Sequence, residues 1–185
     1  MILSRKLNLA GNNPCQNYNT MFKELWTLIK LLFKSNPKDI KGSVEVLDMK
    51  HFPFKGYKAM SWCGYIIHRI GTSAIDNKTI NHETIHLNQA KRSGSWIKYY
   101  WQYFIEYLKG NPIMAPASSA YYTNPFEMEA YANEDKPEYP EGMVIYEDNY
   151  STLEFTKYII KNGRKKVYKN AGCTLRDWKE YIKHI

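Results

Sequence analysis

At 185 residues the chain is long enough for one domain, or one domain with a short appendage, and for a core that needs no disulfide or structural metal. Its 44% apolar and 24% charged residues exclude a disordered composition. The net charge of +8 admits nucleic acid, an anionic membrane surface or an acidic substrate as partner.

The cations are scattered, and the densest run, Arg164-Lys165-Lys166 with Lys161 and Lys169 nearby, fits a solvated face better than a binding patch. Nucleic acid is therefore the less favoured partner, and contact with a membrane surface stays open. Three cysteines, Cys15, Cys63 and Cys173, are an odd number without C-x-x-C spacing, so they give neither a disulfide framework nor a zinc knuckle. The N-terminal residues lack a continuous apolar signal-peptide core. The most apolar stretch, Leu25 to Phe33, is interrupted by Lys30 and is far short of the roughly 20 residues that span a bilayer. A cytoplasmic location and no transmembrane span are the expectations.

Along the chain, residues 20–34 predict an amphipathic helix, with Thr20 as candidate N-cap and Asn36-Pro37 as stop signal. From residue 43 the period shortens. SVEVLDM, YKAMSW and GYIIHRIG predict short strands, with Gly64 marking a bulge or a close backbone approach. After a loop over 71–79, Thr79 or Asn81 can cap a helix over 80–92. A second helical run covers Ser95 to Lys109, its rings Trp96, Tyr100, Tyr103 and Tyr107 at helical spacing as core stripes are. Three prolines predict a loop over 111–125. A helix follows from Pro125 with Asn124 as its cap, and stops before Pro137. Beyond an acidic, irregular 137–150 come a helix over 151–162, a basic turn and a last helix near Leu175 to Ile182. These elements imply an α+β fold in one domain, 1–185, with its motif core at about 43–136 and a C-terminal helical extension over 137–185.

The informative string is His82-Glu83-Thr84-Ile85-His86. Histidines four apart on a helix project from one face and can hold one metal ion. Glu83 lies one residue on, where its carboxylate reaches a water on the metal rather than the metal itself. Chance gives roughly 0.009 such matches in a chain of this composition. The context agrees with the metal reading: the string falls in a predicted helix after strands, and a carboxylate-bearing helix follows. There Glu127, Glu129 and Glu134 are candidate third ligands. Glu127 and Glu134 share a face with Tyr131, and Glu129 points roughly 160–200° away. The glutamates left over are solvated or orient a histidine.

These residues resemble the zincin superfamily of metallopeptidases, in its gluzincin branch, where the third ligand is a Glu on a downstream helix; here that helix is NPFEMEAYANE. The string is also similar to that of a small bacterial group of single-domain proteins carrying N-P-F-E-x-E-A-Y. The resemblance covers about residues 60–135. It implies a zincin-like α+β fold, a small antiparallel or mixed sheet packed on the two motif helices. It also implies Zn2+ held by His82, His86 and Glu127, Glu83 as catalytic base, and a peptide or protein substrate lying along the strand near Met60 to Ile67. Tyr121, Tyr122 or Tyr131 would stabilise the oxyanion. A metzincin would need Gly and His where this chain has Gln89 and Arg92, and an aspzincin's Asp follows the helix, whereas Asp76 precedes it. His51 and His68 are weaker candidate ligands. Two other readings compete with the peptidase: a metal-binding zincin-like interaction module with little catalysis, and a basic nucleic-acid or membrane-surface binder in which the motif is coincidental.

Overall fold

The computed structural model describes residues 4–5, 14–39, 44–110, 113, 117–135 and 152–171. Among them the fold is mixed α+β. Strands β1 (Ser4–Arg5), β2 (Glu45–Met49), β3 (Ala59–Trp62) and β4 (Tyr65–Arg69) form one sheet in the order β1-β2-β4-β3. β2 runs parallel to β1 and β4, and β3 runs antiparallel to β4, so the sheet is mixed and β3 is an edge. Helices α1 (Pro14–Lys34), α2 (Asn77–Ser93), α3 (Trp96–Lys109), α4 (Ala117–Tyr122), α5 (Pro125–Asn133), α6 (Thr152–Asn162) and α7 (Arg164–Ala171) complete it. No described helix is long and apolar enough to cross a membrane.

The β3–β4 hairpin closes through Cys63 and Gly64, both at positive φ (48° and 93°). That conformation matches the right-handed twist of the flanking strands, which is why the loop is so short. Gly64 therefore marks a turn, not the predicted bulge. Cys63 tolerates its φ because its surroundings hold it: its N–H donates to Tyr100 Oη at 2.9 Å and its carbonyl accepts from Ser35 Oγ at 3.0 Å. Ile66 and Ile67 of β4 are fully buried on opposite faces of the sheet, one against Val46 and Ala59, the other against Met49 and Leu28 of α1. α1 is pinned by Glu24, whose buried carboxylate accepts from the backbone N–H groups of Lys50 (2.7 Å) and His51 (2.9 Å). The helix begins at Pro14, six residues before the predicted Thr20 cap, since proline suits the first helical turn.

α2, the motif helix, starts earlier than predicted as well. Its cap is Asp76, not Thr79 or Asn81: Asp76 Oδ1 accepts from Thr79 N–H at 2.7 Å. Hydrogen bonds from the Thr79 side chain and from its backbone N–H, with Lys58 nearby, hold the Asp76 carboxyl down to about 2. The stabilisation is therefore complete above the ordinary carboxylate value and is lost as pH falls toward 2. Asp76→Ala is expected to cost about 1 kcal/mol in urea unfolding at neutral pH, by loss of the cap, with the difference from wild type shrinking in acid.

Two further corrections concern connections. The predicted loop over 111–125 contains α4, and the predicted basic turn after 162 is α7, whose Val167 is fully buried. α4 lies so close to the end of α3 that a Cβ on Gly110 would sit 2.4 Å from Ala120 Cα, so position 110 is glycine for space rather than for φ. α6 and α7 pack on α5 and α4, and Arg164 ties them down through Thr123 O (2.7 Å) and Glu106 Oε2 (2.5 Å). The predicted irregular stretch over 137–150 and the helix near 175–182 lie outside the described residues.

Candidate metal centre

α2 and α5 lie side by side, and the buried residues of α2 run unbroken from Asn81 to Ala90. Asn124 caps α5 as the sequence predicts, accepting from Phe126 N–H at 3.1 Å, with Pro125 at the first helical position. That cap fixes where α5 begins and so aims Glu127 at the histidines. His82 Nε2 and His86 Nε2 are 3.2 Å apart. Glu127 Oε2 is 3.3 Å from His82 Nε2, and Glu127 Oε1 is 3.3 Å from His86 Nε2. All three side chains are buried, and their donor atoms lie within 4.8 Å of one another.

The spacing fits a metal ion. Zinc bonds to nitrogen are about 2.0–2.1 Å, so the two Nε2 atoms subtend roughly 100–105° at a shared ion, and a different Glu127 oxygen lies 3.3 Å from each of them. The three side chains together form a group able to hold one ion. The chemistry agrees, since two imidazole nitrogens and a buried carboxylate are donor types that zinc takes.

The far side of each imidazole is held. His82 Nδ1 lies 2.8 Å from Glu134 Oε2, and His86 Nδ1 lies 2.8 Å from Gln89 Oε1. Because a carboxylate and an amide oxygen only accept, each ring donates its Nδ1–H outward, and in the neutral ring the Nε2 lone pair faces inward. Burial works against charge on His82, but its bonds to Glu127 and Glu134 outweigh that and raise its pKa. For Glu127 burial alone would favour the neutral form, yet the two histidines dominate and hold the carboxylate ionised. Tyr103 Oη donates to Glu127 Oε1 at 2.7 Å and steadies it further.

The three candidate glutamates thus separate. Glu127 faces the histidines and Glu134 backs His82. Glu129, fully buried, turns the other way, to Arg92 and to Gln89 Nε2 at 3.0 Å. His51 and His68 lie elsewhere, bonded to Glu24 (3.1 Å) and Asp48 (2.7 Å). The Tyr131 ring packs on His82 at 4.6 Å, its hydroxyl is 3.3 Å from that of Tyr121, and Tyr122 packs on Tyr131 at 5.8 Å. Gln89, Tyr103 and Tyr57 were not singled out from the sequence as site residues. Gln89, three residues after His86 and therefore on the same helix face, was the one with a detectable signal.

Glu83 is not one of the three converging donors, but lines a cavity together with His86 and Glu127. It lies between two cavities, one of about 220 Å³ walled by aromatic rings (Tyr57, Trp62, Tyr99, Tyr100, Tyr103, Tyr121) and one of about 400 Å³ that also touches Lys58, Lys78 and His82. Strand β3 supplies part of the aromatic wall through Ala59 to Trp62. Burial raises the Glu83 carboxyl pKa, against the pull of His82 and His86 and a hydrogen bond from the Ser61 backbone. The result is a three-donor cradle backed by fixed hydrogen-bond partners, with a fourth side open beside a carboxylate of enhanced basicity. Comparison of the chain with protein-family models, with curated proteins and with solved structures found no match.

Proposed function

We propose that the chain is a zinc-dependent peptidase of gluzincin type, in which His82, His86 and Glu127 hold the ion and Glu83 is the base. The observation that carries this reading is the convergence of three buried donors within 4.8 Å of one another, with a separate buried carboxylate facing a cleft beside them. A bound zinc supplies a Lewis acid that polarises a carbonyl and makes water a nucleophile near neutral pH.

The remaining work falls to the chain's own residues. Glu83 accepts the proton of the attacking water and returns it to the leaving amine, and its raised pKa makes it a stronger base. Of Tyr121, Tyr122 and Tyr131, Tyr121 is the one that lines both cavities beside Glu83, and it is assigned to meet a developing oxyanion. An extended peptide fits along β3, whose outer edge carries no partner strand among the described residues. The aromatic wall favours a large apolar side chain on that peptide. A mixed sheet packed on α2, with α5 packed on the same helix, supports the zincin-like reading.

The test is the metal content of the purified protein by mass spectrometry, followed by digestion of a denatured-protein peptide mixture. Bound zinc in stoichiometric amount and cleavages next to aromatic or large aliphatic residues are the expected results. Zinc without cleavage would favour an interaction module, and a chain that takes up no zinc would overturn the reading. The hydrogen bond behind His82 gives a graded check: Glu134→Ala is expected to weaken zinc binding about 10–100-fold in chelator competition. Glu134→Gln, which still accepts from Nδ1–H, should lose less.

A further inference from the structure

α1 is strongly amphipathic, and nothing in the proposed peptidase chemistry uses its outer face. At ~100° per residue its side chains fall into three arcs. Met21, Glu24, Leu28, Leu31 and Leu32 occupy roughly 220–320° when Tyr18 is set at zero. These are the buried and half-buried residues, packed on the core beneath. Tyr18, Phe22, Leu25, Trp26, Ile29 and Phe33 fall within roughly −20° to 80°, and all six are exposed, Trp26 by 57% and Phe33 by 78%. Lys23, Lys30 and Lys34 occupy roughly 120–160°, along one flank of that apolar arc, and they too are exposed. Lys30 lies over the Trp26 ring at 5.6 Å, its ammonium at the edge of the apolar arc.

We propose that this face docks the protein on an anionic lipid surface, with α1 lying in the plane of the interface. An amphipathic helix of this kind puts its aromatic and aliphatic side chains at the headgroup–acyl boundary and its lysines among the phosphates. Charge complementarity selects the lipid. Glu24 is the only acidic residue in α1, and it is turned inward onto the Lys50 and His51 backbone, so the outer face carries cations alone. A symmetric pairing of two copies through the same face would set lysines against lysines with no carboxylate between them. A nucleic acid would leave six exposed apolar side chains without a role. The opposite arc already belongs to the core, so docking needs no refolding.

Flotation of the full chain tests this with vesicles of phosphatidylcholine alone and with about 30% phosphatidylserine added. Binding to the anionic vesicles is expected, weakened by raising the salt from ~0.1 to ~0.5 M. Each lysine near such a surface is worth about a factor of five, so K23E/K30E/K34E is expected to bind at least about 100-fold more weakly. F22S/W26S/F33S should lose binding at any salt. Both variants replace exposed side chains only, so they should keep the wild-type circular dichroism spectrum and melting temperature. No flotation with anionic vesicles at low salt overturns the proposal, and so does equal flotation with neutral ones. A wild-type dimer that F22S/W26S/F33S converts to monomer also overturns it, by making the face a contact between copies.

Discussion

Glu83→Gln is expected to lower peptide-bond hydrolysis by about 10²–10⁴-fold while the protein keeps its full complement of zinc. Two features of the site set this outcome. The Glu83 carboxylate is not among the three converging donors, so its loss leaves the cradle intact. Glutamine has the same shape and still accepts from the Ser61 backbone, so the buried packing is retained. The variant should not melt earlier than wild type. Burial already disfavours the Glu83 charge, and an amide at that position removes a desolvated anion rather than a stabilising contact. Steady-state cleavage of a peptide, metal analysis and a thermal melt on one preparation check all three parts. Activity that survives would place the base elsewhere, and zinc lost with the carboxylate would make Glu83 a ligand.

The second large effect separates two glutamates two residues apart. Glu127→Ala is expected to reduce bound zinc to trace levels, because it removes one of three donors and leaves His82 and His86 facing each other. Glu129→Ala should retain zinc and instead lose stability, by about 1.5–3 kcal/mol in urea unfolding, since it deletes the buried acceptor of charged and neutral hydrogen bonds. That acceptor joins Arg92 and Gln89 of α2 to α5. Parallel metal analysis and denaturation of the two variants give a crossed result: one loses metal, the other loses stability. A Glu129→Ala protein that loses zinc and keeps its stability would reverse the assignment.

What the sequence discloses of this site depends on how local each relation is. His82, Glu83 and His86 are readable because helical spacing alone puts two imidazoles on one face. The same periodicity separates Glu129 from Glu127 and Glu134, and the structure keeps that separation. It cannot say which of the two remaining carboxylates meets Nε2 and which meets Nδ1, because that depends on how far α5 is shifted along α2. Tyr103 and Tyr57 reach the cleft from α3 and from the β2–β3 connection, through contacts with no sequence period at all. Asp76 went unread as a cap because Thr79 and Asn81 satisfy the same residue preference, and only backbone conformation decides among them. α4 and α7 were missed for opposite reasons. Prolines around 112–116 mask a helix of six residues, and a dense run of cations masks the buried Val167 that anchors the other.

The amide of Gln89 has a polarity that cannot be reversed without loss. Its oxygen accepts from His86 Nδ1 and from Tyr99 Oη (3.3 Å), and its nitrogen donates to Phe126 O (2.9 Å) and to Glu129. Turning it over would set donor against donor at His86 Nδ1 and acceptor against acceptor at Phe126 O and Glu129. The tautomer of His86 is therefore fixed by the junction of three helices, with no ion needed to select it. Metal capture then needs no rotation of the His86 ring and no change in its Nδ1 proton, only loss of the proton that Glu127 favours on Nε2. A Gln89→Met chain, matched in size but without that polarity, should take up zinc more slowly even where its final affinity is little changed.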